Sequence, residues 1–176
     1  MIEAMSLPEL WQDLVAEVVE YAWDDTVMVL RILLAAACGA AVGWQRERHE
    51  KAAGLRTHML LAIGACLFTL VGTGIQEGDV TRVLQGMVTG TGFLAGGVIF
   101  REGATVRGLT TAVGLWVMGA VGMAIGFGEY FLGVVTTVLV FTVLSVMQAV
   151  EGHMARRAAH DAPASATHPA GGKRAD

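Results

Sequence analysis

The run YFLGVVTTVLVFTVLSVMQAV, residues 130–150, holds 21 consecutive residues without a formal charge. At 1.5 Å per residue a helix of that length is roughly 30 Å long, which matches the hydrocarbon core of a bilayer. Working back from it, four more apolar runs cover residues 26–43, 57–75, 83–100 and 109–127 with only short connections between them. Every backbone N–H and C=O in lipid must be satisfied internally, which leaves helices or a closed barrel. A barrel needs segments of about ten residues with alternating polarity, and these runs are continuously apolar. The composition agrees: 54% hydrophobic, 16% charged, and 23 glycines in 176 residues. The expected fold is therefore an all-α membrane protein: a five-helix transmembrane bundle over residues 26–150 as one domain, an N-terminal amphipathic helix within 1–25, and a disordered C-terminal tail over 151–176.

Charge gives the bundle a direction. Of 12 Lys and Arg residues, ten fall on one side if the spans alternate: Arg46, Arg48, Lys51, Arg56, Arg101, Arg107, Arg156, Arg157, Lys173 and Arg174. Basic residues beside spans are retained in the cytoplasm, so the N-terminus is expected outside and the C-terminus inside. Glu3, Glu9, Asp13, Glu17, Glu20, Asp24, Asp25, Glu77, Asp79 and Glu129 fall on the other side. The net charge of −4 and pI near 5.7 average two unlike faces and point to no nucleic-acid partner. Met1-Ile-Glu offers no basic n-region, so the first span is expected to stay uncleaved.

Residues 6–23 read as an amphipathic helix on the outer surface. Ser6 and Glu9 form a capping box; Leu7, Leu10, Leu14, Val18 and Tyr21 make one stripe, and Glu9, Asp13, Glu17 and Glu20 the opposite face. Interfacial helices that bind anionic lipid are basic, so this acidic one is expected to dock on its own bundle or a partner.

Packing between spans needs small residues, because lipid tails are as apolar as Leu. Gly39 with Gly43, Gly86 with Gly90, Gly92 with Gly96, and Gly122 with Gly126 are four such pairs. The third span, richest in them, is expected at the bundle centre or at an interface between copies, so a homo-oligomer stays open. Cys38 and Cys66 lie within spans without metal or CxxC spacing and read as small buried apolar residues.

Charge inside hydrocarbon costs roughly 2.5–3.5 kcal/mol on insertion scales. The one such residue is Arg31, about 7 Å inside the first span by helical rise, expected to snorkel or to pair with an acid such as Glu129. The central parts of the spans carry no Asp or Glu. A bare Mg²⁺ needs oxygen ligands and proton relays are built from carboxylates, so both mechanisms lose support, although backbone carbonyls could line a pore.

Polar residues gather instead in two loops on the basic side, where Arg46, Arg48, Arg56, Arg101 and Arg107 face Glu47 and Glu102, enough for an interlocked ion-pair layer. Gly97, Gly103 and Gly108 suggest a tight path through the second loop. Thr57 is placed to cap the second span. His49 and His58 bracket the first loop and read as headgroup-facing, without the partners of a metal site. No nucleophile elbow, P-loop or HExxH occurs, so no enzyme, cofactor or metal is expected.

The same loops carry a resemblance. RILL at 31–34 with Gly39 and Gly43, then Arg46, AGLRTH at 53–58, GTGFLAGGVIFREG at 90–103, VRGLTTA at 106–112 and Leu115-Trp116 resemble the MgtC/SapB family of bacterial inner-membrane proteins, in its short, membrane-only form. The resemblance places family emphasis on Glu102, Arg56, Arg101 and Arg107; Gln45 stands where many relatives have Glu, and Thr110 where some have Asn. It implies a regulator in adaptation to magnesium limitation and survival inside hosts, acting on other membrane proteins, the proton-translocating ATP synthase among them. The rival is a transporter or channel for Mg²⁺ or another small solute. Arg46, Arg56, Arg101, Glu102, Arg107 and Thr110 are the interaction candidates.

Overall fold

The computed structural model describes residues 7–74 and 80–161. Among these residues there are five helices, α1 (Leu7–Arg48), α2 (Leu55–Gly74), α3 (Val80–Gly96), α4 (Leu109–Gly126) and α5 (Tyr130–Asp161), with a hairpin of β1 (Phe100–Glu102) and β2 (Thr105–Arg107) between α3 and α4. Among the described residues, Asp24–Arg48, Leu55–Gly74, Leu109–Gly126 and Tyr130–Met154 are long and apolar enough to cross a membrane. The chain is a multi-pass membrane protein. It divides into two compact units, Met1–Phe141 and Thr142–Asp176.

Several boundaries differ from the sequence reading, and four of the differences have a clear local reason. The outer helix and first span are one continuous helix of 42 residues, because Asp24-Asp25-Thr26 contains no Gly or Pro to stop it. The capping-box serine, Ser6, and the side chains of the acidic and apolar stripes lie outside the described residues. Second, α2 starts at Leu55 rather than at 57. Its first N–H donates to the Glu47 carboxylate, 2.7 Å away, so the cap comes from the end of α1 and not from Thr57. Third, α3 ends at Gly96, short of the expected residue 100, and has 17 residues. Gly97 N–H still reaches the Phe93 carbonyl, but Val98 and Ile99 close i→i+3 turns onto Ala95 and Gly96, which tightens the end of the helix. Fourth, in the second unit α5 runs on to Asp161 through Glu151, Met154, Ala155, Arg156 and Arg157, all strong helix formers. The rest of the expected tail, 162–176, lies outside the described residues.

α4 sits at the centre of the first unit. Ten of its residues are buried, from Thr111 and Ala112 through Leu115, Met118, Val121 and Ile125 to Gly126. It contacts α1, α2 and α3, while the most extensive pairing joins α1 to α2. Close approach explains the arrangement. A Cβ on Gly39 would lie 2.6 Å from the His58 carbonyl oxygen, one on Gly43 2.7 Å from Leu55 Cα, and one on Gly126 2.7 Å from Thr69 Cβ; one on Gly122 would overlap the Ala62 carbonyl. At these positions only a missing side chain lets the backbones meet, which is how helices gain dispersion contacts in lipid.

The central place expected for the third span is not taken by α3. Only Thr91 and Ala95 of α3 are buried, and Gly86, Gly90, Gly92 and Gly96 have open space where a Cβ would be. Cys38 and Cys66 are free and buried. Hydroxyls within the spans bond their own helix: Thr69 Oγ1 donates to the Ala65 carbonyl at 2.9 Å and Thr137 Oγ1 to that of Gly133 at 2.8 Å, so these polar groups are satisfied without water.

Arg31 is held by partners other than the expected acid Glu129. Its Nε donates to the Tyr130 hydroxyl and an Nη to the Gly126 carbonyl, both at 2.9 Å, and the guanidinium lies 5.6 Å from the Tyr130 ring centroid. The groups that hold it are a phenol and a helix-terminal carbonyl rather than the Glu129 carboxylate. The cation thus sits where α4 presents its negative end and ties α1 to the α4–α5 turn. Tyr130→Phe should cost only about 0.6 kcal/mol, the average for interhelical hydrogen bonds in bilayers, and Arg31→Ala visibly more; thermal unfolding in detergent measures both.

Candidate functional site

The expected ion-pair layer resolves into two separate sets, one exposed and one buried. The exposed set is the hairpin. Phe100 pairs with Arg107, Arg101 with Val106 and Glu102 with Thr105, around a two-residue connection in which Gly103 takes φ 61°, as a hairpin turn with glycine first requires. Alternation along a strand puts Phe100, Glu102, Thr105 and Arg107 on one face. Glu102 and Arg107 are diagonal neighbours there, and Arg107 Nε meets Glu102 Oε2 at 3.2 Å with the side chains 73% and 72% exposed. An exposed pair contributes about 0–1 kcal/mol, so this one orients two side chains more than it stabilises the fold. Arg101, on the other face, donates from Nε to the Gly103 carbonyl at 3.1 Å. Gly108, at φ 90°, begins α4 and lies so close to the Val98 carbonyl that any Cβ would overlap it.

The buried set lies where α1, α2 and α4 meet. Gln45, Arg46, His58 and Thr111 are all buried. An Arg46 Nη donates to Thr111 Oγ1 at 2.7 Å, which pins the last turn of α1 to the first turn of α4. His58 donates from Nδ1 to the Gly54 carbonyl at 2.9 Å; a carbonyl can only accept, so Nδ1 carries the proton. Its Nε2 is buried without a hydrogen-bond partner among the described residues and faces Gly114. His58 is therefore an interior residue and not headgroup-facing, because position 58 is on the α2 face that meets Gly39 of α1. His49 is exposed, and its ring bonds the Gln45 carbonyl.

The remaining candidates have other partners. The Arg48 guanidinium lies 4.9 Å from the Trp44 ring centroid, a cation–π contact. Glu47 caps α2 as described. Arg56 is exposed at the start of α2. Thr110 is exposed too, while its neighbour Thr111 makes the buried contact. The sequence placed Arg46 in an ion-pair layer with Glu47 and Glu102 and did not single out Thr111; helical phase, 100° per residue along α4, is the signal that separates the two threonines. α1 ends in a turn where Lys51 N–H reaches the Arg46 carbonyl and Glu50 N–H that of Glu47. Glu50 holds φ 51°, a helix-ending position usually given to Gly.

The family model described as "MgtC family" matches residues 32–153. The chain belongs to the MgtC family. It is 39% identical over 127 residues to "Putative magnesium transporter YhiD" of Escherichia coli K12, covering 67% of this chain and 59% of that protein. An uncharacterised Synechocystis protein is 41% identical over 119 residues, covering 67% and 50%. "Protein MgtC" of Salmonella typhimurium LT2 is 38% identical over 112 residues, covering 64% and 48%. The chain thus spans about half to three-fifths of the length of the curated relatives it matches. No solved structure matches it. The family match takes in both the hairpin and the buried Arg46–Thr111 contact.

Proposed function

We propose that this MgtC-family chain is a regulatory protein of the bacterial inner membrane that acts in adaptation to magnesium limitation by contacting another membrane protein. The ATP synthase is the leading partner by family resemblance. The observation that carries this reading is the Glu102–Arg107 pair, held on a two-stranded hairpin and almost three-quarters exposed. Such a pair does little for stability and presents complementary charges in a fixed register, which favours specific docking. Arg56, Arg101 and Thr110 lie in the same polar segments and extend the contact surface. The positive-inside count puts this surface in the cytoplasm, with the N-terminus outside. The effect is stoichiometric rather than catalytic.

Glu102→Ala and Arg107→Ala are expected to leave insertion and abundance unchanged, by immunoblot of membranes, while impairing growth at limiting magnesium. Loss of the protein from membranes in both variants would show the pair to be structural and overturn the reading. The name of the Escherichia coli relative suggests transport instead. Purified protein in liposomes separates the two: protein-dependent Mg²⁺ flux would favour a transporter, and its absence alongside partner capture a regulator.

A further inference from the structure

A groove of about 780 Å³ runs between α2 and α3, within the range of about 300–1,000 Å³ typical of ligand sites. Its floor and walls include Leu60, Gly64, Phe68, Gly86, Gly90 and Leu94, and one end is formed by Arg56 and Thr57. The glycines create it: a Cβ at Gly64, Gly86 or Gly90 would meet nothing within 4 Å. From Arg56 to Phe68 the α2 wall is about 18 Å long at 1.5 Å per residue, close to the ~15 Å depth of one leaflet. The cationic end of the groove therefore falls near headgroup level when the apolar part lies among acyl chains.

A second, polar cavity of about 410 Å³ adjoins that end and shares Arg56 and Thr57 with the groove; Glu47, Glu50, Lys51 and Gly54 complete it. Two cations and two carboxylates thus surround one small space at the mouth of an apolar slot one leaflet deep. We infer that the groove binds a single phospholipid with a primary-ammonium headgroup, of the phosphatidylethanolamine class. Its phosphate meets Arg56, Lys51 and the Thr57 hydroxyl; its ammonium donates to Glu47 and Glu50; one acyl chain lies along Gly64, Gly86 and Gly90. The charge pattern makes the choice. A glycerol headgroup supplies no cation for the two carboxylates, and a choline headgroup has no N–H to donate in a charge-assisted hydrogen bond.

The test is native mass spectrometry of the full chain in mild detergent with dioleoyl phosphatidylethanolamine, phosphatidylcholine and phosphatidylglycerol offered in equal amounts. The ethanolamine lipid should be retained about tenfold more than either other, the factor given by a 1.4 kcal/mol preference. Arg56→Gln and Gly90→Leu should each reduce that retention about as much, with thermal unfolding in detergent confirming that both variants stay folded. Equal retention of the three lipids by the unaltered chain would overturn the site as annular lipid, and needs no variant to fold. Efficient interchain disulfide formation by Gly90→Cys would overturn it in favour of a second copy in the groove. The readout is lipid retention, so it stands whether or not the chain regulates a partner.

Discussion

Thr111→Val is expected to destabilise the detergent-solubilised protein more than Arg46→Met, although it removes a single oxygen. Valine keeps the volume and branching of threonine, so packing of the first turn of α4 barely changes. What is lost is the acceptor for a buried guanidinium, 2.7 Å away. Hydrogen bonds to charged groups contribute about 1.5–3 kcal/mol and leaving one partner buried costs its desolvation. Neutral interhelical bonds in bilayers average only about 0.6 kcal/mol, so the charge decides the size of the effect. Arg46→Met removes the charge along with the bond, and replacing a buried ion by an apolar side chain of similar volume is often near neutral. The double variant Thr111→Val/Arg46→Met should therefore recover most of the stability lost by Thr111→Val. Thermal unfolding of the four proteins forms a complete cycle; a double variant no more stable than Thr111→Val would show that the contact does not pin α1 to α4.

Gly108→Val should reduce the folded protein in membranes severely, and Gly103→Val much less. Both glycines hold positive φ, 90° and 61°, and a β-branched residue in that region is strained by about 1–3 kcal/mol. The difference is in their surroundings. A Cβ at Gly103 meets nothing within 4 Å, whereas one at Gly108 overlaps the Val98 carbonyl, backbone that can move only if the hairpin or the start of α4 moves. Membrane abundance and unfolding temperature measure both variants. Equal, mild effects would mean that the hairpin is not seated on the end of α3, and the fixed register of Glu102 and Arg107 would lose its physical basis.

The two threonines at the start of α4 show where sequence reasoning stopped. Thr110 and Thr111 are the same residue type one step apart, and 100° of helical rotation sends one outward and one against Arg46. That phase is set by what α4 packs on, which a run of apolar residues does not disclose. The hairpin was partly legible: Gly103-Ala104 lies between Phe100 and Val106, a glycine-led turn flanked by strand formers, but three-residue strands are too short to stand out beside a long apolar run. That the third span, expected at the bundle centre or at an interface between copies, is not the central helix was hidden for a related reason. α3 and α4 are both glycine-rich, and hydropathy cannot rank them, because facing lipid and facing another helix are equally apolar choices.

Residues 130–150 and the other apolar runs determined on their own that this chain lives in a bilayer, since backbone polar groups there can be satisfied only within a helix. The sequence also determined that, with the spans alternating, its basic residues gather on one side and most of its acids on the other. Tertiary structure alone decided that Arg46 and His58 are interior, that α4 and not α3 is central, that Arg31 bonds Tyr130, and that Glu102 and Arg107 stand exposed on a hairpin. Each depends on which helix faces meet, and that is settled by fits of a few ångströms, such as Gly39 on His58 and Gly122 on Ala62, not by polarity.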